Sequence, residues 1–465
     1  MFSISNIPIQ KTRLLGLLLF FGDLCVILST AILSFRIKSG NYELAEKNWF
    51  LILIFLVVYP IIFYFFELYD INLRLTRLRY LTRIITVNAA GIIFVLILGY
   101  ILYIKVNRGF LILWGINFIV LFLLWRYIFY KISKKPMLPE KILLVGSDWS
   151  ILEIIKEIKE LPVSSYNMVG IISDKNGNPQ SQGFDGIDII GNRYDLVKIV
   201  QKEKINKIIV STYEEKHEDL ISALLECKLM GVQITEAPNF YRKITGKIPI
   251  KHVRNSWFIF SSGFESIQKP FVFKAKRLID VILSFLLLII AVPLIIIVII
   301  LIKLDSSGPV FYVQERLGLN EKPFKLIKFR SMHFNAEEKS GPVWSSKNDS
   351  RISRVGKLLR PARLDEIPQL INVLKGEMTF IGPRPERQFF VEKLKKQIPY
   401  YSLRFSVKPG ITGWAQVKYY YGSSVKDSLE KLQYDIYYIQ NVSIILDLYI
   451  VLKTLQVMIM RKEMA

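Results

Sequence analysis

The sequence predicts a membrane protein of mixed α and α/β class in three parts. Several apolar runs within the first 130 residues are long enough to cross a bilayer as helices. Short apolar strands then alternate with helical segments between about Lys141 and Ser262, which is typical of a parallel α/β domain. A fifth apolar run opens the last part, which we expect to be mostly helical. The predicted parts are residues 1–135, 136–265 and 266–465.

Composition narrows the class of partner. The chain has 465 residues, 52% of them hydrophobic, and a formal net charge of +23. A chain that is both apolar and strongly basic is suited to anionic lipid headgroups or phosphorylated ligands. Nucleic-acid-binding proteins seldom contain several long apolar runs, so we expect no nucleic acid. Two cysteines and three histidines argue against a disulfide framework and against a zinc site.

The first part is predicted to cross the membrane four times. The predicted spans are about 14–35, 49–66, 84–104 and 110–130. Arginines and lysines are concentrated before the first span, between the second and third, and after the fourth. This bias places both ends of the four-helix unit in the cytoplasm. The first run lacks a small-residue cleavage pattern, so we expect it to be retained as an anchor.

The second part is predicted to be Rossmann-like, with helices on both faces of a parallel sheet. Its strands read "KILLVG", "YNMVGIIS", "INKIIVST" and "GVQITEAP". A ligand would bind beyond the carboxyl ends of these strands. However, "VGSDWS" supplies one glycine where a dinucleotide fingerprint needs three. Asp174 follows the second strand and could bind a ribose, so a nucleotide site and a structural or regulatory domain both stay open.

The fifth apolar run, residues 281–302, is expected to enter the membrane and return. Pro293 lies in its middle, where it removes a backbone hydrogen bond and bends the helix. Lysines and arginines flank the run on both sides, so both flanks are expected in the cytoplasm. A re-entrant helix over about 278–303 satisfies both observations. The alternative is an ordinary kinked helix that spans the bilayer.

The stretch "LLRPARLDEIPQLINVLKG" places two acids at the start of a helix. Pro368 is tolerated only in the first helical turn, and Gly376 is a suitable ending. Asp365 and Glu366 therefore stand at a helix amino terminus, which also attracts phosphate. Neighbouring cations favour the ionised, nucleophilic form of an aspartate. Taken alone, such a pair is also a common helix-capping device.

Cations in several segments surround this acid pair in the sequence. Arg360 and Arg363 belong to a basic run just upstream, and Lys328 and Arg330 lie in "KFRSM". Arg384 stands between two prolines in "GPRPE", which suits bidentate capture of a phosphate. The glycine-punctuated turn "KPGITGWAQV" is suited to line a nucleotide pocket. We therefore predict a phosphate and nucleotide site formed by Lys328, Arg330, Arg360, Arg363 and Arg384.

These motifs resemble a known family. Residues from about 270 to 465 resemble the catalytic domain of the bacterial polyprenyl-phosphate sugar-phosphate transferases, the monotopic phosphoglycosyl transferases. The resemblance includes "KRLIDVILS", "GPVFYVQERLG", "FKLIKFRSM", "LRPARLDEIPQLINVLKGEMTFIGPRPE", "KPGITGWAQV" and "YDIYYIQNVSIILDL". The preceding residues look like the amino-terminal part of the large members, so the resemblance covers essentially the whole chain.

The resemblance implies a reaction and a role for each site residue. A hexose-1-phosphate passes from a UDP-sugar to undecaprenyl phosphate and UMP is released, as the first membrane step of exopolysaccharide, capsule or O-antigen assembly. Asp365 matches the nucleophile that forms a covalent phosphosugar intermediate, and Glu366 matches its partner. Lys328 and Arg360 match positions near the phosphates, and Arg384 matches the nucleotide-side arginine. Mg²⁺ is the expected cofactor, with Asp365 and Glu366 as its ligands.

The resemblance also implies a location and leaves alternatives. It implies a multi-pass protein of the bacterial inner membrane with its catalytic domain on the cytoplasmic face, and it suggests a homodimer. Many members have a serine before the proline of the re-entrant bend, whereas this chain has Val292 before Pro293. The alternatives are a non-catalytic membrane scaffold and a nucleotide-sugar-modifying oxidoreductase or epimerase that uses the α/β domain. The large members that the chain resembles make glucose or galactose the expected sugar, and N-acetylated hexosamines and dideoxy sugars stay open.

The last apolar segment, about 442–460, contains Asp447 and Lys453 in its interior. Two charges at these positions make a membrane crossing costly. The pattern favours a helix that lies in the membrane interface. A buried core helix is the alternative, and the sequence does not decide between them.

Overall fold

The computed structural model describes most of the chain. The described residues are 7–39, 49–66, 68–69, 77–101, 108–133, 139–146, 149–160, 166–173, 185–211, 218–261, 264, 270–333, 336, 349–419 and 424–460. Asp174, which the sequence offers as a ribose ligand, lies outside these residues.

The described chain divides into two compact units. The first unit contains Met1–Ile142, Ile158–Val169 and Val200–Lys207. The second contains Leu143–Glu157, Gly170–Ile199 and Ile208–Ala465. The division passes through the α/β sheet, because strands of that sheet contribute residues to both units.

The first part of the chain is helical. Its helices are α1 (Ile7–Ser39), α2 (Trp49–Phe65), α3 (Arg77–Ile101) and α4 (Arg108–Ser133). Aromatic side chains from α2 and α4, including Phe55, Phe63 and Phe118, form a fully buried core between them. The same part contains one buried ion pair, in which Arg126 Nη2 lies 2.9 Å from Asp23 Oδ2. A buried charge is tolerated in such surroundings only when a partner compensates it.

Three described helices are long and apolar enough to cross a membrane. They include Gly16–Lys38 of α1, Gly109–Phe129 of α4 and the helix Pro270–Asp305. Trp49–Phe65 and Ile84–Tyr100 are shorter apolar helices. Membrane association follows from these segments, because exposed apolar helices of this length need a hydrocarbon environment.

The second part contains a five-stranded sheet. The strands are β1 (Glu140–Val145), β2 (Tyr166–Ser173), β3 (Ile189–Asn192), β4 (Lys207–Val210) and β5 (Gln233–Glu236). Their order is β3-β2-β1-β4-β5, and β2 pairs with β3 in parallel. This order is that of a doubly wound α/β fold, as the strand and helix alternation predicts. The accompanying helices are α5 (Trp149–Glu160), α6 (Leu196–Glu203) and α7 (Glu218–Leu229).

The chain leaves the sheet through a short, well-packed segment. It consists of α8 (Ala237–Thr245), a 3-10 turn (Ile250–His252) and α9 (Asn255–Phe260). Gly246 ends α8 with a φ of 70°, a left-handed conformation that favours glycine. Ile248 and Trp257 are then buried in one hydrophobic core with Tyr401 and Ile436, far along the sequence. The segment 246–261 is therefore part of the core that supports the last part of the chain.

The third part begins with helix α10 (Pro270–Asp305), which is helical through Pro293. Its middle is exposed and apolar, whereas residues near both ends are buried. Near its start, Arg277 donates hydrogen bonds to the carbonyl oxygens of Val373 and Leu374. Near its end, Val298 and Ile302 pack in a hydrophobic cluster with Phe329 and Leu359. Both ends of this helix contact the same folded body.

The rest of the third part is mostly helical, as predicted. Its helices are α11 (Arg354–Leu359), α12 (Gln369–Lys375), α13 (Gln388–Lys395), α14 (Trp414–Lys418), α15 (Val425–Gln440) and α16 (Ile444–Met460). An antiparallel hairpin joins β6 (Phe311–Leu317) to β7 (Pro323–Phe329), and β8 (Thr379–Ile381) pairs in parallel with β9 (Gly410–Thr412).

Helix α16 has one packed face and one exposed apolar face. Ile450 is fully buried, and Asp447 is paired with Lys276 and accepts a hydrogen bond from Tyr438. Ile445 and Leu448 are exposed. The aspartate inside this apolar helix is thus compensated by Lys276 of α10, and the helix is buried on one face only, so its predicted position in the membrane interface stays a prediction.

Candidate active site

The local structure around the acid pair follows the sequence prediction. Pro368 is the N-cap residue of α12, and Leu364–Glu366 form a 3-10 turn immediately before it. Gly376 ends α12 with a φ of 86°, and its N–H donates to two preceding carbonyl oxygens. Asp365 and Glu366 therefore lie on the turn ahead of the helix, and both side chains are buried.

Two backbone features bring the basic run against this turn. Gly356 approaches the carbonyl of Ser331 so closely that a side-chain Cβ would lie 1.9 Å from that oxygen, so only glycine fits there. Arg363 adopts a left-handed conformation with a φ of 52° and a ψ of 23°. This conformation is uncommon for a residue other than glycine and marks local strain. The chain turns sharply at Arg363 and directs Asp365 and Glu366 inward.

Glu366 is held by two cations. Its Oε1 accepts hydrogen bonds from Lys328 Nζ at 3.0 Å and from Arg384 Nη2 at 2.7 Å. Burial alone would raise the pKa of Glu366, but Arg384 and Lys328 together hold that pKa well below its usual value. Glu366 is therefore ionised throughout the physiological range.

The pKa of Asp365 is shifted in the opposite direction, above its usual value. Burial raises the pKa of Asp365, and the neighbouring charge of Glu366 raises it further. Lys328 and Arg360 oppose this shift without cancelling it. Adjacent carboxyl groups whose pKa values are pushed apart are typical of sites that use two acids in two roles.

The cations of the site are themselves tuned by burial. Lys328 lies on β7, and burial lowers its pKa despite the charge of Glu366. The charge of Glu366 raises the pKa of Arg384. Arg384 also donates from Nη1 to Gln416 Oε1 at 3.0 Å. Arg384 thus links the acid pair to the "GITGWAQV" turn.

Arg404 was not among the site residues predicted from the sequence, and it binds the backbone of Arg384. It donates at 2.9 Å to the backbone carbonyl of Arg384 and at 2.9 Å to Asp435 Oδ2. It also donates at 2.7 Å to the hydroxyl of Tyr401. Arg404 and Asp435 are both buried. The signal in the sequence is that apolar or aromatic residues directly flank each charge, Leu403 and Phe405 around Arg404 and Tyr434 and Ile436 around Asp435. A charge that becomes buried in such surroundings requires a partner.

A cavity of about 340 Å³ opens over these groups, within the size range of small-molecule sites. Its lining contains six cationic and four acidic side chains, an excess of positive charge that suits a diphosphate. The lining residues are Lys328, Arg360, Arg363, Asp365, Glu366, Arg384, Glu386, Leu394, Tyr401, Arg404, Ala415, Gln416, Tyr419, Ser428, Lys431 and Asp435.

Six of the predicted site residues meet in this cavity, and Arg330 does not. The six are Lys328, Arg360, Arg363, Asp365, Glu366 and Arg384. Arg330 donates instead to the carbonyl oxygens of Ser306 and Ser307, beyond the end of α10. Arg330 lies just after β7, and its buried guanidinium is bonded to the backbone that follows α10, outside the residues that line the cavity. Pro293 lies within α10.

The acid pair fits a magnesium ion that substrate oxygens would complete. No group of three or more His, Cys, Asp or Glu side chains suited to a metal occurs among the described residues. Oε2 of Glu366 is buried, and no described group bonds to it. Mg²⁺ commonly binds one or two carboxylates together with substrate phosphates rather than an all-protein cage. Asp365 and Glu366 are chemically suited to that arrangement.

Comparison with known proteins identifies two family models in the chain. The bacterial sugar transferase family matches residues 271–461, and a CoA-binding domain matches residues 64–238. The first match contains the complete acid pair and all the cations that line the cavity. The second contains the five-stranded sheet.

Curated relatives agree with the first match. A UDP-glucose:undecaprenyl-phosphate glucose-1-phosphate transferase of Xanthomonas campestris pv. campestris is 28% identical over 452 residues, which cover 93% of this chain and 91% of the relative. A UDP-N-acetylgalactosamine-undecaprenyl-phosphate N-acetylgalactosaminephosphotransferase of Aeromonas hydrophila is 37% identical over 233 residues, 50% of this chain and 54% of the relative.

A shorter relative matches over nearly its full length. An exopolysaccharide production protein of Rhizobium leguminosarum bv. phaseoli is 38% identical over 187 residues, which cover 38% of this chain and 92% of the relative. By contrast, this chain spans about half the length of the Aeromonas protein. The chain belongs to the bacterial sugar transferase family, and it is an enzyme of the transferase class.

Proposed function

We propose that this enzyme transfers a hexose-1-phosphate from a UDP-sugar to undecaprenyl phosphate and releases UMP. The observation that carries the proposal is the buried pair Asp365 and Glu366 in a cavity rich in cations. The names of the Xanthomonas and Aeromonas relatives describe this reaction class. The name of the Rhizobium relative suggests exopolysaccharide assembly as the setting, and capsule or O-antigen assembly are related settings.

In the first proposed step, Asp365 attacks the β-phosphorus of the donor. A bond forms between the Asp365 carboxylate oxygen and this phosphorus, and the bond to the oxygen bridging the two phosphates breaks. UMP leaves with that oxygen, and the sugar phosphate stays on Asp365. Lys328, Arg360 and Arg384 line the cavity, and in this proposal they stabilise the charge on the phosphate oxygens. Arg363 lines the same cavity and adds to its positive potential.

In the second proposed step, undecaprenyl phosphate removes the sugar phosphate. One of its phosphate oxygens bonds to the phosphorus on Asp365, the bond to Asp365 breaks, and the carboxylate is regenerated. The product is an undecaprenyl diphosphate sugar. Glu366 stays ionised because Lys328 and Arg384 are bonded to it. Glu366 therefore holds both cations in position while the phosphates exchange.

Magnesium would be held by Asp365 and Glu366 together with donor phosphate oxygens. When bound, it would neutralise part of the diphosphate charge. The orphan Oε2 of Glu366 supports this assignment.

A re-entrant α10 fits the contacts of its two ends. A straight helix would separate Arg277 from Ser306 by about 44 Å. Yet Arg277 bonds to Val373 and Leu374, while Arg330 bonds to Ser306. Asn372 joins these two anchor regions directly, because its side chain accepts from the N–H of Ile327 at 3.1 Å. A bend near Pro293 accommodates this short path and returns both ends to one side of the membrane.

The proposed topology has four spanning helices, α1 to α4, in residues 1–135. The α/β domain would follow over 136–265, and the catalytic domain over 266–465 on the cytoplasmic face of the bacterial inner membrane. Candidate spans in α1 and α4 support the multi-pass arrangement. The cytoplasm is also where UDP-sugars are made available to such a site. A homodimer is part of this proposal and is testable by mass measurement in detergent.

Two other functions are less favoured. A non-catalytic scaffold would not need the buried acid pair and the cations that hold it. An oxidoreductase that uses the α/β domain would need a glycine-rich phosphate loop after β1, and "VGSDWS" lacks one.

The test is release of UMP by purified protein supplied with polyprenyl phosphate, Mg²⁺ and a panel of UDP-sugars. The panel is needed because the named relatives use different sugars, glucose in Xanthomonas and N-acetylgalactosamine in Aeromonas. We expect UMP release with at least one donor. Asp365→Asn should lower the rate by at least about a thousandfold, because an amide cannot act as the nucleophile.

Glu315→Gln is the matched control, because Glu315 is an exposed carboxylate on β6 outside the cavity. It should retain the wild-type rate. Donor labelled in the sugar phosphate should label the wild-type protein covalently and should not label Asp365→Asn. Undiminished labelling of Asp365→Asn would remove Asp365 from the nucleophile role, and no UMP release across the panel would reject the reaction.

A further inference from the structure

Besides the acid pair and its cations, the cavity lining contains a group of polar residues that we call the second end. This end is formed by Glu386, Gln416, Tyr419, Ser428 and Lys431, none of which the proposed chemistry uses. It combines a carboxylate, an amide, hydroxyl groups and a lysine, whereas Arg360 and Arg363 lie close to the acid pair. Hydroxyl-rich ligands are recognised by mixed donors and acceptors of this kind.

Arg384 bridges the acid pair and the second end, because it donates to Glu366 Oε1 at 2.7 Å and to Gln416 Oε1 at 3.0 Å. Asp365 interacts with Lys328, Arg360 and Arg384. Arg384 interacts with both acids of the pair and also with Glu386. Lys431 interacts with Glu386 and Arg384. Arg384 therefore lies between the acid pair and the Glu386 end.

This order fixes which part of the donor reaches the second end. In phosphoryl transfer the attacking and leaving oxygens lie roughly in line through the phosphorus. With Asp365 attacking the β-phosphorus, the leaving UMP must extend away from Asp365. A leaving group that runs past Arg384 reaches Gln416, which is bonded to Arg384, and Glu386, which lines the same cavity. The nucleoside is thus directed to the second end, whereas the hexose branches from the phosphorus itself.

Glu386 is held in place by two residues of β6, Arg316 and Leu317. Its backbone carbonyl accepts from the N–H of Leu317 at 3.0 Å, and its Oε2 lies 3.5 Å from Arg316 Nη1. Arg316 is fixed in turn, since it donates to the carbonyl of Pro385 at 3.3 Å. A carboxylate held at the nucleoside end of a site is a suitable acceptor for vicinal ribose hydroxyls, as in dinucleotide-binding folds.

We propose that Glu386 binds the ribose hydroxyls of the donor nucleotide and of the product UMP. The inference rests on the proposed function, because the in-line argument places UMP on this side. Gln416 and Ser428 border the same end and complete its polar lining. Arg316 acts as a positioning residue, since it touches Glu386 rather than the ligand.

The experiment measures equilibrium binding of UMP and of 2′,3′-dideoxy-UMP to the full-length protein by calorimetry. Glu386→Gln should weaken UMP binding about tenfold, the cost of one lost charge-assisted hydrogen bond. The same substitution should change binding of dideoxy-UMP by less than about twofold, because the hydroxyls that Glu386 contacts are already absent. The two changes are expected to be non-additive, which a merely structural defect would not produce.

Glu392→Gln is the matched control. Glu392 is an exposed carboxylate on α13 that accepts from Gln388, and it does not line the cavity. It should bind both nucleotides as the wild type does. Equal weakening of UMP and dideoxy-UMP by Glu386→Gln would overturn the ribose assignment. Unchanged UMP affinity with an altered preference among UDP-sugars would also overturn it and place the hexose at Glu386.

Failure of the proposed function gives a different result. If UMP binds in a Glu386-dependent way but no UDP-sugar is consumed, the ribose site is supported and the transfer reaction is rejected. If UDP-sugars are consumed and Glu386→Gln leaves UMP affinity unchanged, the reaction stands and the ribose site is rejected.

Discussion

At the scale of single residues, the site separates two neighbouring carboxyl groups by their surroundings. Glu366 receives Lys328 and Arg384 directly, so it stays ionised. Asp365 is buried next to it, and the pKa of Asp365 is raised. Glu366, which holds the cations, and Asp365, which is proposed to attack phosphorus, are both carboxylates, so their different roles come from their different surroundings.

These shifts predict a bell-shaped dependence of UMP release on pH. Asp365 must be ionised to attack, so the rate should fall as pH drops through its pKa, which lies above the usual value of about 3.9. Lys328 must be protonated to stabilise phosphate, so the rate should fall as pH rises through its lowered pKa. A profile of kcat/KM against pH, with saturating Mg²⁺, measures both limbs.

Two variants test which residue causes each limb of the pH profile. Lys328→Arg should move the alkaline limb to higher pH, because arginine stays protonated, and should leave the acid limb in place. Burial raises the pKa of Asp435 to about 6, so Asp435 is a competing source of the acid limb. The acid limb should persist in Asp435→Asn. Its disappearance there would contradict the assignment to Asp365, and an unmoved alkaline limb in Lys328→Arg would exclude Lys328.

At the scale of secondary structure, α10 is the element whose role depends most on its contacts. Its exposed middle is apolar, but its two ends are bound to α12 and to the strand end at Arg330. These partners are joined through Asn372, which is fully buried. Such an arrangement is natural for a helix that dips into one leaflet, because a crossing helix delivers its ends to opposite faces.

Cysteine labelling tests the re-entrant topology. Cysteines placed at Lys274 and Ser307, which are exposed residues near the two ends of α10, should both react with a membrane-impermeant thiol reagent only from the cytoplasmic side. The reason is that both flanks are bound to one folded body. Labelling is scored in intact cells and in inverted membrane vesicles, and UMP release checks that each variant is active.

The labelling variants are made in a protein that carries Cys25→Ser and Cys227→Ser. Cys25 is exposed, and Cys227, although buried, is a second native thiol. A cysteine at Asn41, in the first predicted external loop, is the control for labelling from outside. A cysteine at Ser307 that reacts only from outside would show that α10 crosses the membrane, and the re-entrant proposal would be rejected.

At the scale of the whole molecule, the segment 246–261 ties the α/β domain to the catalytic part. Trp414 donates to the carbonyl of Gly246 at 2.8 Å, and the N–H of Ile248 donates to the carbonyl of Gln433 at 3.1 Å. Lys247 pairs with both Glu157 and Glu430. Trp414 directly precedes Ala415 and Gln416 of the cavity wall. The segment therefore supports the nucleotide side of the site.

Truncation tests this dependence. A fragment of residues 237–465 should keep a larger share of UMP release and a higher unfolding temperature than a fragment of residues 270–465. The shorter fragment removes Ile248, Ile250, Val253 and Trp257 from a shared core. Loss of a single large buried side chain commonly costs about 2–5 kcal/mol, and here four are removed together. Thermal unfolding in detergent and the UMP assay measure both effects.

A single substitution tests the packing of segment 246–261 without shortening the chain. Trp257→Ala in the full-length protein should lower the unfolding temperature, because Trp257 is buried in the shared core. Ile259→Ala should not, because Ile259 is 73% exposed. Equal stability of the two fragments would show that the catalytic part folds without segment 246–261.

Much of the fold could be predicted from local sequence rules. Pro368 and Gly376 set the limits of α12. Proline is tolerated only at the start of a helix, because it has no backbone N–H to donate, and glycine readily adopts the positive φ that ends one. The alternation of apolar strands and helices gave the α/β sheet. Six of seven residues proposed for chemistry in the loops and strands meet in one cavity, whereas Arg330 turns to the end of α10.

The sequence by itself determined the membrane class, the α/β sheet, the helix start at the acid pair and the family motifs. These depend on hydrophobic period, on proline and glycine geometry and on residue spacing, which are local properties. Only the tertiary structure decided that Arg404 supports Arg384, that Glu386 lines the same cavity, and that segment 246–261 enters the catalytic core. Such contacts join residues distant in sequence, and their partners depend on how the elements pack.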